Sequence, residues 1–282
     1  MAEETGGDGA IAGDVVPPRI DTTRPSVARV YDLFLGGKDH YEVDREVYRR
    51  TMALEPNAPL LARSMRQWLI RVVRYLSGTA KIDQFLDCGS GLPTAENTHQ
   101  VAQRINPETT VVYMDNDPMV IAHGQALLEE NDRTHFLAAD LRDPEALFAH
   151  PTVVRCLDFD RPLALMQCGT IHHLEDSENP GELIARYVER LPSGSFLALS
   201  HFCDPADGSE ASDLAKVLEA NLRAAVGSGR CRTPAEIRSI LGGLELVEPG
   251  LVPVGDWWPD GPRLKPSAHV DRIGYGVLAR KP

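Results

Sequence analysis

The stretch of chain that decides the fold reads Phe85-Leu86-Asp87-Cys88-Gly89-Ser90-Gly91. A short apolar run ends here in an acidic residue and two glycines, and segments of helix length follow. Glycines in such a turn let the backbone approach a ligand closely. The pattern predicts a strand, a tight turn and a helix that begins near Ala95. In open parallel sheets this is the place where ligands bind.

Six further short apolar runs alternate with amphipathic segments along the chain. With the run before the glycine turn, the predicted strands are 82–86, 110–114, 135–139, 163–167, 196–200, 244–247 and 273–278. Helices are also predicted at 212–226 and at 234–241, where Thr233 and Glu236 form a capping box. Repeated strand–helix units require right-handed crossovers, so we predict an α/β fold with a doubly wound, mostly parallel seven-stranded sheet.

The chain before the first strand has a different pattern. Residues 1–22 are rich in Gly and Pro and lack apolar periodicity, which predicts a flexible tail. Apolar residues then recur at helical spacing, and the two sets are Val27, Val30, Tyr31 and Phe34, and Trp68, Val72, Val73 and Leu76. Gly36 and Gly37 are expected to end the first helix. We therefore predict a tail (1–22), a helical cap (23–80) and a sheet domain (81–282).

Composition excludes several classes of protein. Of the 282 residues 43% are hydrophobic, which allows a sizeable core, and the net charge of -12 weighs against binding to a phosphate backbone. No apolar run is long enough to span a membrane, and the first residues do not resemble a signal peptide. We expect a cytoplasmic protein with a small-molecule partner and no nucleic-acid or membrane partner. The oligomeric state is not predicted.

The residues around the glycine turn discriminate between cofactors. Thr94 stands where a dinucleotide-binding turn needs its third glycine, and Pro93 removes an N–H group that would bind a pyrophosphate. NAD and FAD are therefore disfavoured. The carboxylate of Asp87 would repel a diphosphate but attract an ammonium or sulfonium group. S-adenosylmethionine carries both of these groups, so it is the favoured cofactor.

Three acidic residues follow the second and third strands. Asp115 lies 24 positions after Gly91 (115 − 91), near the spacing of acids that bind ribose hydroxyls. Asp117 precedes Pro118, so we interpret it as a helix cap. Asp140 is placed to accept a bond from the adenine amino group, with Leu141 packing on the base. A helix-capping role for Asp140 near Pro144 remains an alternative.

Two adjacent histidines, His172 and His173, follow the fourth strand. Their spacing does not suit a metal site, and the five cysteines form no CxxC pair, so no metal is expected. A nearly neutral imidazole can accept a proton at physiological pH. One of the two histidines is therefore a candidate base for an acceptor that loses a proton. A polar loop residue with a backbone hydrogen bond is the competing interpretation.

Taken together, the chain resembles class I S-adenosylmethionine-dependent methyltransferases. More specifically it resembles the S-adenosyl methyltransferase family known mainly from actinobacteria and long described as a domain of unknown function. The resemblance covers nearly everything after the tail. It rests on segments 24–32, 35–39, 84–94 and 112–118 and on Ser200-His201. The first of these segments, Arg24-Pro25-Ser26-Val27-Ala28-Arg29-Val30-Tyr31-Asp32, is specific, whereas a glycine turn alone is not.

The resemblance implies a seven-stranded sheet, a bound methyl donor and an unidentified acceptor. Donor contacts are implied for Asp87, Gly89, Gly91, Asp115 and Asp140. To these we add neighbouring residues and two residues of the cap as candidates, namely Ser90, Asn116, Leu141, Gln167, Arg29 and Tyr31. The catalytic candidates are His172, His173 and Tyr31.

Arg29, Tyr31, Asp32 and Lys38 form a polar set in the cap. A pocket lid is the functional interpretation of this set. Between Thr23 and Ala80 basic residues outnumber acidic ones, which suits an acidic substrate or, equally, a solvated helical face. Trp257, Trp258 and Tyr275 are interpreted as core residues rather than substrate walls.

Methyl transfer to a small molecule is the favoured function. The alternatives are a non-enzymatic sensor that binds the same cofactor and signals through the cap and, third, a nicotinamide oxidoreductase.

Overall fold

The computed structural model describes residues 20–94, 96–262 and 268–282. Most of the predicted tail, up to residue 19, lies outside the described residues, and so does Ala95. The helix after the glycine turn begins at Thr98, slightly later than predicted. None of the described helices combines the length and the apolar character that crossing a bilayer requires.

Three helices precede the sheet: α1 (Val27–Leu35), α2 (Glu42–Leu54) and α3 (Ala58–Gly78). The side chain of Ser26 caps α1 by accepting a hydrogen bond from the Arg29 N–H group. The helix ends as predicted, with Gly36 in the left-handed conformation at φ +88°. The N–H group of Gly37 then donates to the Asp32 carbonyl at 2.9 Å. Gly36 is needed because only glycine adopts such a φ without strain. At Gly37 the reason is space, since a Cβ there would lie 2.0 Å from the Asp32 carboxylate.

The described residues contain a mixed sheet of eight strands. The strands are β1 (Gln84–Cys88), β2 (Thr110–Asp115), β3 (Thr134–Ala138), β4 (Ala164–Cys168), β5 (Phe196–Phe202), β6 (Glu245–Leu246), β7 (Val252–Pro253) and β8 (Gly274–Arg280). The order is β3-β2-β1-β4-β5-β8-β6, with β7 paired to β8. The first five strands are parallel, and β8 runs antiparallel to β5.

The predicted α/β class and the mostly parallel sheet are thereby confirmed. The seven predicted strands are all present, with ends shifted by a few residues. The additional strand, β7, has only two residues, which is too short for an alternating pattern to be recognised.

Helices cover both faces of the sheet. They are α4 (Thr98–Ile105), α5 (Pro118–Leu127), α6 (Pro144–Ala149), α7 (Pro151–Cys156), α8 (Pro180–Arg190), α9 (Glu210–Val226) and α10 (Pro234–Ile240). Successive residues of β1 point to opposite sides, so Phe85 belongs to one hydrophobic cluster and Leu86 to the other. Both clusters are buried, which leaves the carboxyl ends of the strands as the place where polar side chains converge.

Helix α3 packs on the far end of the chain. Its Trp68 lies so close to Gly276 of β8 that a Cβ added there would be 2.5 Å from the indole ring. The buried guanidinium of Arg71 donates to the carbonyls of Trp257 and Val254. Trp257 is buried in the core, whereas Trp258 is 45% exposed. Helix α3 therefore belongs to the core of the sheet as well as to the N-terminal helices.

Candidate active site

A cavity of about 700 Å³ lies over the carboxyl ends of the strands. The loops after β1, β2 and β4 form one side of it, and α1, α3 and α9 form the other. Tyr31 and the segments 89–91, 115–117 and 172–173 all line this space. The structure thus brings together most of the residues that the sequence analysis selected.

The glycine turn lies at the floor of the cavity. Gly89 has φ +73°, and a Cβ there would be 2.3 Å from the Thr170 methyl group, so only glycine fits. The N–H groups of Gly89 and Ser90 donate to the Met114 carbonyl at 2.9 and 3.1 Å. The Gly91 N–H donates to the Asp115 carboxylate at 3.0 Å. Because these N–H groups have partners within the protein, the turn is poorly suited to a pyrophosphate.

Asp87 is buried at the end of β1 and lines the cavity. Burial raises the pKa of its carboxyl to about 6. The hydrogen bond from the Thr98 hydroxyl and the nearby charge of Arg66 act in the opposite direction but are smaller effects. The Thr98 hydroxyl donates to Asp87 at 2.7 Å. A buried carboxylate of this kind is stabilised in its ionised form when a cation binds beside it.

Asp115 and Asp117 have different environments, as the sequence suggested. Asp115 lines the cavity, and one of its oxygens accepts the Asp117 N–H at 2.9 Å. Asp117 caps α5 by accepting bonds from the N–H groups of Met119 and Val120. Its second oxygen accepts the Ser26 hydroxyl at 2.5 Å. The capping prediction for Asp117 is confirmed, and this side chain also ties α1 to the sheet.

The segment after β3 is only partly placed as expected. Leu141 lines the cavity, but the Asp140 carboxylate does not and is 45% exposed beside Arg142. Arg142 reaches across to Glu178 at 2.7 Å, and both of these side chains line the cavity. No local sequence pattern indicates this ion pair, because its partners are 36 positions apart.

Two further candidates lie away from the cavity wall. Gln167 is fully buried, and its side-chain oxygen accepts the Thr170 hydroxyl at 2.8 Å, so it supports the loop that does line the cavity. Arg29 is also buried and pairs with Asp44 at 2.8 Å. Its remaining donors bind the carbonyls of Asp21 and Arg24. The geometry therefore gives Arg29 a structural role within the cap rather than a place against a ligand.

The proposed lid set is similarly divided. Tyr31 lines the cavity, whereas Asp32 is buried and accepts the Asp39 N–H, and Lys38 is exposed. The Tyr31 hydroxyl donates to the Ala62 carbonyl at 3.2 Å. Burial raises the pKa of Tyr31 to about 12. Tyr31 therefore keeps its proton near pH 7 and is unsuited to act as a base there.

His172 and His173 differ in their hydrogen bonds. His172 is buried, its ring stacks on Phe202 at 3.9 Å, and its Nδ1 atom has no hydrogen-bond partner among the described residues. The Nδ1 atom of His173 lies 2.8 Å from the Ser228 hydroxyl. Burial lowers the pKa of His173 to about 4 and holds the pKa of His172 well below its usual value. Both rings are therefore neutral near pH 7, and the Nδ1 atom of His172, unlike that of His173, has no hydrogen-bond partner among the described residues.

Arg66 on α3 is a cavity residue that the sequence analysis did not select. Its guanidinium lines the cavity, and its Nε atom is buried without a hydrogen-bond partner among the described residues. The other end donates to the Glu96 carbonyl at 2.9 Å. An arginine beside a buried aspartate provides both charges needed to bind an amino-acid zwitterion.

The cysteines and the acidic residues suggest no other chemistry. Burial raises the pKa of the Cys88 thiol well above its usual value, which disfavours a reactive thiolate. Across the described ranges no group of three or more His, Cys, Asp or Glu side chains is arranged to hold a metal ion.

Comparison with known families identifies the class of site. The sequence profile described as S-adenosyl methyltransferase matches residues 14–282. The chain belongs to the S-adenosyl methyltransferase family. The resemblance noted from the motifs is therefore confirmed, and the chain is an S-adenosylmethionine-dependent methyltransferase rather than a nicotinamide oxidoreductase.

Solved structures agree with the family assignment. A candidate methyltransferase from Thermobifida fusca YX is 41% identical, with a TM-score of 0.87 over 93% of this chain and 96% of that one. A DUF574 family protein from Streptomyces avermitilis MA-4680 is 38% identical, with a TM-score of 0.88 over 94% of this chain and 100% of that one.

More distant similarity concerns the fold alone. An O-methyltransferase family protein from Burkholderia thailandensis is 15% identical, with a TM-score of 0.51 over 84% of this chain and 61% of that one. No protein of curated function is detectably similar in sequence. Nothing in the described residues favours the sensor alternative over the enzyme.

Proposed function

We propose that this methyltransferase acts on a small molecule held inside the cavity. The observation that carries the proposal is the position of α1, whose residues Val27, Val30, Tyr31 and Phe34 line the cavity opposite the glycine turn. The Ser26 hydroxyl holds this helix to Asp117. A folded macromolecule would need an open groove, whereas a space enclosed between strand ends and helices suits a compact acceptor.

The donor's amino-acid end is assigned to Asp87 and Arg66. The buried Asp87 carboxylate suits an ammonium group, and the Arg66 guanidinium suits a carboxylate. Gly91 is bonded to Asp115 through its N–H group, and apart from its chain neighbours no atom lies within 4 Å of where its Cβ would be. Because this space is open, the backbone can come into direct contact with a bound molecule.

The donor's nucleoside end is assigned to the next two strands. Asp115, with Asn116 beside it, would accept hydrogen bonds from ribose hydroxyls, since each Asp115 oxygen has lone pairs beyond those used by Gly91 and Asp117. Leu141 would pack on the adenine ring. Asp140 is retained as a partner of the adenine amino group only if its carboxylate turns away from Arg142.

When bound, S-adenosylmethionine supplies a methyl group attached to a positively charged sulfur. The protein contributes position, by holding an acceptor atom in line with that methyl group, and it excludes water from the reaction. We further propose that residues 23–80 act as a cap on the domain of residues 81–282. In this division α1 covers the cavity, and α3 anchors the cap through Trp68.

A labelled-donor experiment tests the proposal. The enzyme is incubated with S-adenosylmethionine carrying an isotopic methyl label and with a cell extract divided into small metabolites, protein and nucleic acid. We expect the label only in the metabolite fraction, and an Asp115→Ala variant serves as a control with weakened donor binding. Label in the protein or nucleic-acid fraction would show that the acceptor is a macromolecule.

A further inference from the structure

On the basis of the proposed function, we infer that the acceptor is an apolar molecule with one hydroxyl group, which meets the imidazole of His172. Each part of this inference comes from a different observation on the cavity. The body of the acceptor follows from the helices, its single polar group from the hydrogen bonds, and its lack of charge from the ionisable side chains.

Three helices line one side of the cavity with apolar side chains. Helices α1, α3 and α9 all contribute large hydrophobic side chains, among them Val30, Phe34, Leu61, Met65, Leu218 and Leu222. Such a wall binds apolar surface with a free energy that is proportional to the area removed from water. An acceptor with many polar groups would lose its bonds to water here and find no partners.

Several polar side chains of the helices and of the loop after β4 that line the cavity already have hydrogen-bond partners. The Tyr31 hydroxyl donates to the Ala62 carbonyl, and the Thr51 hydroxyl donates to the Val47 carbonyl at 3.0 Å. His173 is bonded to Ser228. His172 lines the cavity, and its Nδ1 atom, which is shielded from solvent, has no partner in the described part of the chain. His172 is therefore the candidate partner on this loop for a polar group of the acceptor.

Charged acceptors fit this wall poorly. Among the basic side chains of residues 23–80, only Arg66 lines the cavity, and we have assigned it to the donor. Arg29 and Arg71 are buried with partners of their own, and others are exposed to solvent, for example Arg49 with Glu42 at 2.6 Å. The excess positive charge of the cap therefore does not favour an acidic substrate. No carboxylate of α1, α3 or α9 lines the cavity, and Glu175 and Glu178, which do line it, are paired with Arg223 and Arg142 rather than free for an ammonium group. A hydroxyl group is neutral, so an acceptor that carries one can bind against this wall without burying an unpaired charge.

The chemistry of methylation suits a weak base. The acceptor oxygen forms a bond to the methyl carbon, the sulfur keeps the electron pair of the broken bond, and the hydroxyl proton moves to the imidazole of His172. The proton becomes strongly acidic as the oxygen gains its third bond. An imidazole that stays neutral in a buried setting can therefore accept it.

A binding experiment tests the acceptor class without knowledge of the natural substrate. Melting temperatures are measured with S-adenosylhomocysteine present, and with 2-naphthol, 2-naphthoate or 2-naphthylmethylammonium as probes of one shape. We expect 2-naphthol to raise the melting temperature and the two ions to have little effect. An equal shift with either ion, or no shift with any of the three, would overturn the inference. The shift given by S-adenosylhomocysteine alone reports on the proposed function separately.

A pair of variants on α9 tests the wall itself. Leu222→Lys introduces a cation into the apolar side and should reverse the preference from 2-naphthol to 2-naphthoate. Val217→Lys is the matched control, because Val217 is 45% exposed and does not line the cavity. An unchanged preference in Leu222→Lys would contradict the placement of the acceptor against α9.

The role of His172 is tested with the product of the labelled-donor experiment. A methyl ether of an apolar molecule supports the inference, whereas a methylamine or a methyl ester overturns it. With that acceptor, His172→Gln should lower turnover about 10²- to 10⁴-fold and leave the affinity for S-adenosylmethionine unchanged. His173→Gln should have a smaller effect. Full turnover in His172→Gln would remove this side chain from the reaction.

Discussion

The two sides of the cavity differ in chemistry and in origin. The strand side is polar and comes from residues that directly follow β1, β2 and β4, so the sheet itself fixes their positions. The helical side is apolar and comes from α1, α3 and α9, which are far apart in sequence. Apart from Arg66 on α3, which we assign to the donor, and His172 after β4, which we assign to the acceptor, changes on the strand side should alter donor binding, whereas changes on the helical side should alter acceptor binding.

The largest effect is expected at the glycine turn. Gly89→Ala should destabilise the protein by about 2–5 kcal/mol, because a positive φ costs roughly 1–2 kcal/mol and the clash with Thr170 about 1–3 kcal/mol. Gly208→Ala is the matched control, since Gly208 has φ +72° but open space around it, and only the first cost applies. Chemical denaturation measures both variants. Equal losses would mean that the Thr170 contact has no energetic weight.

The next effect concerns Asp115 on the strand side. Asp115→Ala should weaken the binding of S-adenosylmethionine by about 1.5–3 kcal/mol, or roughly 10- to 150-fold in affinity, because a charged acceptor of hydrogen bonds is lost. Leu222→Ala on the helical side should leave donor affinity unchanged. Calorimetric titration distinguishes the two, and a similar loss in both variants would show that the sides do not act separately.

Arg66 tests the assignment of the donor's carboxylate. Arg66→Met should lower the affinity for S-adenosylmethionine about tenfold, since a charge-assisted hydrogen bond is removed. The affinity for decarboxylated S-adenosylmethionine should be the same in variant and parent. If both donors lose affinity equally, Arg66 stabilises the cavity without contacting the carboxylate.

Asp87 should make donor binding depend on pH. Its pKa is raised to about 6 in the folded protein, so acid protonates it there before other carboxyls of ordinary pKa. A cation binds the ionised form, hence donor affinity should fall roughly tenfold for each pH unit below about 6 and be constant above it. Titrations of the parent and of Asp87→Asn across this range measure the effect. The variant should bind weakly at every pH, with no such slope.

The smallest effect is expected at the helix cap. Asp117→Ala should reduce stability by about 1 kcal/mol and change donor affinity little. Asp143→Ala is the matched control, because Asp143 caps α6 through the Ala146 N–H but has no bond to the N-terminal helices. A large loss of donor affinity in Asp117→Ala would indicate that the Ser26 bond holds the cavity closed over the donor.

The N-terminal helices show how far the sequence predicts the site. Val27, Val30, Tyr31 and Phe34 have the same helical spacing as Trp68, Val72, Val73 and Leu76. The second set is fully buried, whereas the first lines the cavity and includes Val27 at 36% exposure. Periodicity shows that one face of a helix is covered, but it does not distinguish packed core from the wall of a cavity.

The strand side was more predictable than the helical side. Asp87, Gly89 and Asp115 follow strands whose carboxyl ends must share one edge of the sheet, so their convergence follows from the topology. Arg66 and Leu222 converge only through tertiary packing, and the sequence carries no local signal for either. The pairing of Arg29 with Asp44 has no local sequence signal for the same reason, because the two residues lie on different helices.

The contact between Trp68 and Gly276 also bears on how the protein is made. A ribosome completes α3 long before it reaches β8, so the indole ring has no wall to pack on while the intervening strands are synthesised. Such distant contacts delay folding, because the loop between them must close first. The same helix carries Leu61 and Arg66 into the cavity. We therefore expect the binding site to be completed only after β8 has been synthesised and has joined the sheet.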